Sequence, residues 1–215
     1  MSDSIKVAII ISSTRKPRVG DSVAKFVKAV IEEHDTLGKI ALSLVDVADY
    51  GLPVYDEAVI PAMVPAQAQF AHEHSKAWSA KIADFSGYVF VTPEYNWGIP
   101  GALKNAIDYL YHEWQGKPVL IVSYGVHGGS FASDSLKQTL EGMKLIVCLT
   151  RVMLPFSGGR GPELFAAING GVLGDETKAS WSADKKMTII TGYEELKKQL
   201  IAADGSEPDG VEPTA

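Results

Sequence analysis

The chain has 215 residues, of which 46% are hydrophobic and 21% charged, and its formal net charge at pH 7 is −6. This length and composition predict one globular domain with a full core. The net negative charge argues against nucleic-acid binding, which needs a basic face. No apolar run approaches the roughly 20 residues that cross a bilayer, so no membrane span is predicted.

The N-terminus and the cysteine content favour a cytoplasmic protein. Residues 1–4 are polar and slightly acidic, unlike a signal peptide. The single cysteine, Cys148, lies in the apolar run 145–149, which predicts a buried thiol and not a nucleophile. One cysteine allows no disulfide within the chain, and a reducing compartment is the expected setting.

The first predicted strand leads into a candidate anion site. Residues 6–11 are almost all aliphatic, as in a strand buried on both faces of a parallel sheet. A polar, hydroxyl-rich loop follows at 12–20, and then a predicted helix to about residue 33. Free backbone N–H groups and the helix dipole converge at such a junction, where Arg15 adds a fork for a phosphate. Walker and dinucleotide glycine patterns are absent, which favours a terminal phosphate monoester. A solvated basic turn is the alternative.

The most informative stretch follows the third predicted strand. After a strand at about 41–47 and a helix at about 66–83, the buried strand 88–92 enters a loop at 93–101 with two prolines and two glycines. An amphipathic helix begins at about Ala102. Ligands of open α/β sheets bind at such strand ends, and this rigid loop of aromatic and planar polar groups suits a flat heteroaromatic ligand. The alternative is a loop whose aromatics fill a subunit interface.

A glycine-rich turn follows the fourth predicted strand, at 117–123, and precedes a helix at about 132–143. Three glycines between 125 and 129 would let the backbone approach a flat ring and offer N–H groups at its edge. A glycine-rich turn without a ligand remains the alternative. His127 is a candidate substrate contact, although a single loop histidine is more often structural.

The last third of the chain is less regular. A fifth strand is predicted at about 145–154, and a last helix at about 185–203 closes the sheet. Residues 156–184 are too long for a plain connector and are predicted to be an irregular insertion or flap. Residues 204–215 are rich in Gly, Pro and Glu and are predicted to be a disordered tail.

Strands that alternate with helices predict an α/β fold, a flavodoxin-like, doubly wound parallel sheet of five strands in the order 2-1-3-4-5 with helices on both faces. The whole of 1–203 forms a single domain in this prediction. The three informative loops follow strands one, three and four, which brings them to one edge. A phosphate loop, an aromatic loop and a glycine loop together suggest FMN. No spacing of His, Cys, Asp or Glu predicts a metal site.

Three stretches, at 12–15, 92–108 and 124–129, resemble the NADPH-dependent FMN reductases. The run 110–118 is most similar to the fungal NAD(P)H:quinone reductase branch, and the resemblance covers roughly residues 5 to 150. It implies a flavodoxin-like homodimer that holds FMN non-covalently. It also implies NADPH or NADH as the reductant. Residues 156–184 depart from the short ending expected of this family.

The resemblance also implies the site residues. Residues around the FMN phosphate are Ser12, Thr14, Arg15, Val19 and Gly20. Residues along and beside the ring are Pro93, Glu94, Tyr95, Asn96, Trp97, Ser123, Tyr124, Gly125, Gly128 and Gly129. Apart from the resemblance, the loops themselves suggest candidate substrate contacts, namely Lys16, Arg18, Trp97 and His127. Lys16 or Arg18 would favour the phosphorylated nicotinamide, because their charges are surplus once Arg15 holds the FMN phosphate.

The expected reaction passes a hydride from NAD(P)H to FMN and then to a quinone, free flavin or azo-type acceptor by ping-pong turnover. The flavin carries this chemistry, so no catalytic side chain is predicted. A flavodoxin-like electron carrier and a redox-sensing flavin-binding interaction module are the alternatives. Aromatic residues around the third loop exceed what FMN covers, and they predict a homodimer with active sites at the subunit boundary. They are Tyr95, Trp97, Tyr109, Tyr111 and Trp114.

Overall fold

A parallel sheet forms the centre of the structure, a computed structural model that describes residues 5–36, 38, 40–64 and 69–204. Its strands are β1 (Ile5–Ile11), β2 (Ile40–Asp46), β3 (Gly87–Pro93), β4 (Pro118–Gly125), β5 (Ile146–Val147) and β6 (Val152–Pro155). The order is β2-β1-β3-β4-β5, and β6 also pairs in parallel with β4. The predicted order 2-1-3-4-5 is confirmed.

Helices cover both faces of the sheet. They are α1 (Gly20–His34), α2 (Glu73–Ala83), α3 (Gly101–Asp108), α4 (Ser130–Gly142), α5 (Pro162–Gly170), α6 (Asp175–Asp184) and α7 (Lys186–Asp204). One core layer joins alternate β1 residues to α1, α5, α6 and α7, and the other joins the intervening residues to α2, α3 and α4. Val7 and Ile9 belong to the first layer, and Ala8 and Ile10 to the second. Burial on both faces explains why β1 is aliphatic from Val7 to Ile11.

The strand register places three loops at the same edge. Ile11 in β1 pairs with Val91 in β3, and Val91 pairs with Val122 in β4. All three strands run in the same direction, so their carboxyl ends lie side by side. The loops that follow β1, β3 and β4 therefore meet at one edge of the sheet, which is where ligands of this topology bind.

The fifth strand position differs from the prediction of one continuous strand at 145–154. It is divided into β5 and β6, which both pair with β4. Between them Leu149 is 93% exposed, and the backbone N–H and hydroxyl of Thr150 bond to the carboxylate of Glu195 on α7. These bonds satisfy backbone and side-chain groups outside the ladder and let the strand break. Cys148 is buried, as predicted, and burial raises the pKa of its thiol to about 12.

Residues 156–184 were predicted to be irregular, but they are mostly helical. They contain α5 and α6, which together account for most of the segment. Pro162 lies in the first turn of α5, and Gly171 ends that helix in the left-handed conformation. The high glycine content that suggested a loop belongs to the turns around α5 and to its C-terminal end.

Two other predictions change with the structure, and one falls outside it. The helix expected at 66–83 begins at Glu73, although residues 65–68 lie outside the described residues. Tyr109 and Trp114 are fully buried and fill the core beneath α3, so they supply no exposed aromatic surface. The predicted tail lies outside the described residues from 205 onward. Among the helices that the structure describes, none has the length and apolarity needed to cross a membrane.

Candidate active site

The loop between β1 and α1 is held in place by Arg18. Its guanidinium donates to the carbonyl of Ser13 and to both carboxylate oxygens of Asp46 at the end of β2, with 2.8 Å between Nη1 and Oδ1. Asp46 also accepts a hydrogen bond from the N–H of Ala48 at 2.9 Å. The hydrogen bond to Asp46 raises the pKa of Arg18. Arg18 therefore ties the loop to the sheet, and its predicted contact with the substrate stays a prediction.

The N-terminus of α1 offers donors to an anion. No side chain among the described residues caps this helix, so its first N–H groups are free to bind a ligand. The hydroxyl of Ser12 is buried and has no hydrogen-bond partner in the part of the chain that the structure describes. Gly20 packs so closely that a Cβ there would lie 2.8 Å from the hydroxyl oxygen of Tyr124. A buried hydroxyl in need of a partner, beside free N–H groups, fits a phosphate at this position.

The loop after β3 ends in a tight turn. Tyr95 and Gly98 exchange backbone hydrogen bonds of 2.9 and 3.1 Å, and Asn96 and Trp97 between them have φ of 48° and 66°. Both central residues are left-handed, as in a type I′ turn. The turn holds Trp97 at the rim, where it is 71% exposed and meets Phe131 edge-on with 4.9 Å between ring centroids. Such strain in a non-glycine residue is typical of functional loops.

Glu94 connects the third loop to the glycine loop. Its Oε2 accepts hydrogen bonds from the N–H groups of Phe131 at 2.9 Å and Ala132 at 3.4 Å. The carboxylate therefore caps the N-terminus of α4, where negative charge is favourable. Glu94 was predicted to lie along the ring, and the structure gives its carboxylate this capping role.

The glycine loop is shaped by backbone packing. Gly128 and Gly129 have φ of 81° and 75°, and a Cβ at position 128 would lie 2.9 Å from the Cβ of Met153. Ser123 is fully buried and donates to the carbonyl of Gly128 at 2.7 Å. These three residues support the loop from within the protein. His127 lies between Gly125 and Gly128 in the sequence and is exposed. It does not line the cavity that the three loops form.

The three loops enclose a cavity of about 170 Å³, called here the central cleft. Seven of the residues predicted to contact FMN line it, namely Arg15, Val19, Pro93, Glu94, Tyr95, Tyr124 and Gly125. The remaining lining residues are Arg18, Val126, Phe156, Leu164, Ala167 and Ile168. The guanidinium carbon of Arg15 lies 5.4 Å from the centre of the Tyr95 ring, within the range of cation–π attraction. Burial raises the pKa of Tyr95, so this phenol is neutral near pH 7.

A second cavity of about 360 Å³, called here the flank cleft, lies on the other side of the first loop. Its lining includes Thr14 and Lys16 from the loop, Asp49 and Leu52 from the segment after β2, and Ala102 from α3. Thr14 was predicted to bind the FMN phosphate, and the structure places it at this cleft with Lys16. Arg18 lines both cavities.

The comparison with protein families agrees with this site. Residues 5–158 match the model of the NADPH-dependent FMN reductases. The chain belongs to this family. The match covers β1 through β6 and all three loops of the central cleft, and it ends before α5. It confirms the resemblance found in the sequence, and with it the expectation of an enzyme that uses FMN as its cofactor and NAD(P)H as its reductant.

Individual relatives extend the match. An NAD(P)H-dependent FMN reductase of Nectria sp, ntnL, is 50% identical over 197 residues, which cover 91% of this chain and 96% of the relative. The NAD(P)H-dependent FMN reductase LOT6 of Saccharomyces cerevisiae is 46% identical over 147 residues, which are 66% of this chain and 77% of that protein. A quinone reductase of Pseudomonas putida is 33% identical, over 65% of this chain and 72% of its own length.

A solved structure supports the fold. FerB, a flavoenzyme NAD(P)H:(acceptor) oxidoreductase from Paracoccus denitrificans, superposes with a TM-score of 0.64 at 23% identity. The superposition covers 91% of this chain and 98% of FerB. This similarity confirms the flavodoxin-like architecture.

Proposed function

We propose that this family member is a quinone reductase that takes a hydride from NAD(P)H on FMN held in the central cleft and delivers it to a quinone or a similar small acceptor. The observation that carries the proposal is the central cleft. Seven of the residues that line it were predicted from the sequence to contact FMN, and they come from three separate loops. The names of the relatives, FMN reductase and quinone reductase, support the reaction class.

The residues of the cleft divide into two groups. The uncapped N-terminus of α1, the hydroxyl of Ser12 and the guanidinium of Arg15 would hold the phosphate, because they offer donors and positive charge. Pro93, Tyr95 and Gly125 would flank the ring. Bound FMN supplies the hydride chemistry, and the protein's tasks are to bind, orient and exclude water.

We further propose that the enzyme works as a cytoplasmic homodimer. Trp97 and Phe131 form an exposed aromatic pair at the rim, and exposed aromatic surface is common in subunit interfaces. A twofold contact there would leave a slot above the cleft for one flat ring. Reductant and acceptor would then bind in turn, which gives ping-pong kinetics. Parallel double-reciprocal plots and a dimeric mass by light scattering are the expected results, and intersecting lines or a monomer would contradict the slot.

A stopped-flow experiment tests the proposal against the electron carrier and the interaction module. FMN-loaded protein is mixed anaerobically with NADPH or NADH, and the visible absorbance of the flavin is followed. We expect fast bleaching and then recolouring by a quinone such as menadione, repeated over many turnovers. Slow bleaching by both nucleotides would instead favour a carrier or a redox-sensing module. Failure to bind FMN would refute all three readings.

A further inference from the structure

Helix α5 forms part of the lining of the central cleft, beside the three loops. Leu164, Ala167 and Ile168 line the cavity and recur at positions i, i+3 and i+4, so they share one helix face. We propose that this face is a fixed apolar wall that contacts the ring system of the flavin. The proposal rests on the proposed function. It concerns residues beyond 158, where the family match ends.

The C-terminal end of α5 is fitted to the first loop. Gly171 ends the helix with φ of 67°, and a Cβ at this position would lie 2.6 Å from the carbonyl oxygen of Arg18. Arg18 is itself bonded to Asp46 and Ser13. The end of α5 therefore rests against a loop that is tied to the sheet.

The N-terminal end is held through α6. Glu163 accepts a hydrogen bond from the N–H of Thr177 at 2.9 Å, in the first turn of α6. Trp181 of α6 is fully buried, donates from Nε1 to the carbonyl of Pro155 at 2.6 Å, and packs against Phe156 with 6.0 Å between ring centroids. Both ends of α5 are thus fixed to the core, which makes it a wall and not a flap.

The dimensions and chemistry of the wall suit a flavin. Nine residues of α-helix extend about 13 Å, which is long enough to flank a ring system. The aliphatic face of α5 lines the same cavity as Arg15 and Tyr95. A ligand with one anionic end and a flat apolar body would match both the cation and the apolar face. Ile168, which is 37% exposed, lies at the open edge of the wall.

The test separates contact with the ring from contact with the phosphate by the choice of probe. Dissociation constants for FMN and for riboflavin, which lacks the phosphate, are measured by quenching of flavin fluorescence. We expect Ala167→Phe, which fills the cleft, to raise the dissociation constants of both flavins by about tenfold or more. Ile168→Ala should weaken both by about three- to tenfold through lost apolar contact. Arg15→Ala should weaken FMN alone.

Phe165→Ala is the matched control, because Phe165 lies on the same helix, is 55% exposed and does not line the cleft. It should leave both constants unchanged, and circular dichroism should show that all variants fold. Unchanged dissociation constants for both flavins in Ile168→Ala and Ala167→Phe would refute the proposal that α5 contacts the ring. Loss of FMN binding without loss of riboflavin binding would overturn it too, since α5 would then act through the first loop. A wild-type protein that binds neither flavin refutes the proposed function, and the wall with it.

Discussion

Arg18 was predicted to contact the nicotinamide nucleotide, and the structure shows that it also supports the loop between β1 and α1. Its side chain is 18% exposed and that of Asp46 is 15% exposed, so the ion pair is well shielded from solvent. Arg18→Gln would leave the carboxylate of Asp46 nearly buried without its partner and would free the carbonyl of Ser13. We expect the free energy of unfolding to fall by about 2–4 kcal/mol.

A double-mutant cycle with Asp46→Asn distinguishes support from direct binding. If Arg18 acts by holding the loop, Arg18→Gln should lower the affinity for FMN about tenfold when Asp46 is present. In the Asp46→Asn background it should change FMN affinity by less than about twofold, because the bond is already lost. The same cycle in urea denaturation should give a coupling energy of about 1–3 kcal/mol.

The control is Lys25→Gln, which removes a positive charge from α1 that is 65% exposed and lies 3.7 Å from Asp21. It should change neither stability nor FMN affinity appreciably, which excludes a general effect of net charge. Equal weakening of FMN by Arg18→Gln in both Asp46 backgrounds would refute the positioning role and make Arg18 a direct ligand of the phosphate.

Three further predictions follow from individual side chains. Arg15→Ala should weaken FMN by roughly ten- to a hundredfold in fluorescence titrations, since a charge-assisted contact is worth about 1.5–3 kcal/mol; an unchanged constant would reject the phosphate assignment. Lys16→Ala should lower the ratio of kcat/KM for NADPH to that for NADH, because Lys16 lines the flank cleft while Arg18 is committed to Asp46; an unchanged ratio would contradict this. Burial lowers the pKa of Lys117 from 10.5 to about 8, so between these values the unfolded chain binds more protons and stability rises with pH. In urea denaturation, Lys117→Met should reduce this increase in the free energy of unfolding by about 1–2 kcal/mol, a value lowered to allow for the partial exposure of the side chain. An identical pH profile would show that Lys117 does not titrate there.

The strand order and the positions of the three loops could be predicted from the sequence because they depend on local patterns. Aliphatic runs such as 7–11 indicate buried parallel strands, and the prolines and glycines of 93–101 indicate a rigid loop without reference to residues elsewhere in the chain. The carboxyl ends of parallel strands lie at one edge, so the order of the sheet brings these loops together. Seven of the predicted FMN contacts line one cavity for this reason.

The side-chain contacts that the sequence did not predict depend on partners distant in the sequence. Arg18 pairs with Asp46, 28 residues away, and Glu94 caps a helix that begins 36 residues later. An ion pair between residues this far apart cannot be recognised from the sequence around either residue. Tyr109 was predicted to be exposed because it follows a rim loop, yet its side chain is buried in the core layer beneath α3 and its hydroxyl donates to Asp56 at 2.8 Å.

The missed helix α5 shows how composition can hide a site. The segment 156–174 is dense in glycine, and this density predicted a loop. Yet Pro162 and Gly171 are the residues that typically begin and end a helix, and Leu164, Ala167 and Ile168 between them have helical spacing. Read as a helix, the segment has one apolar face and ends in a glycine that fits against Arg18. The glycine and proline residues that suggested a loop are therefore the ones that begin and end α5, the unpredicted part of the cleft.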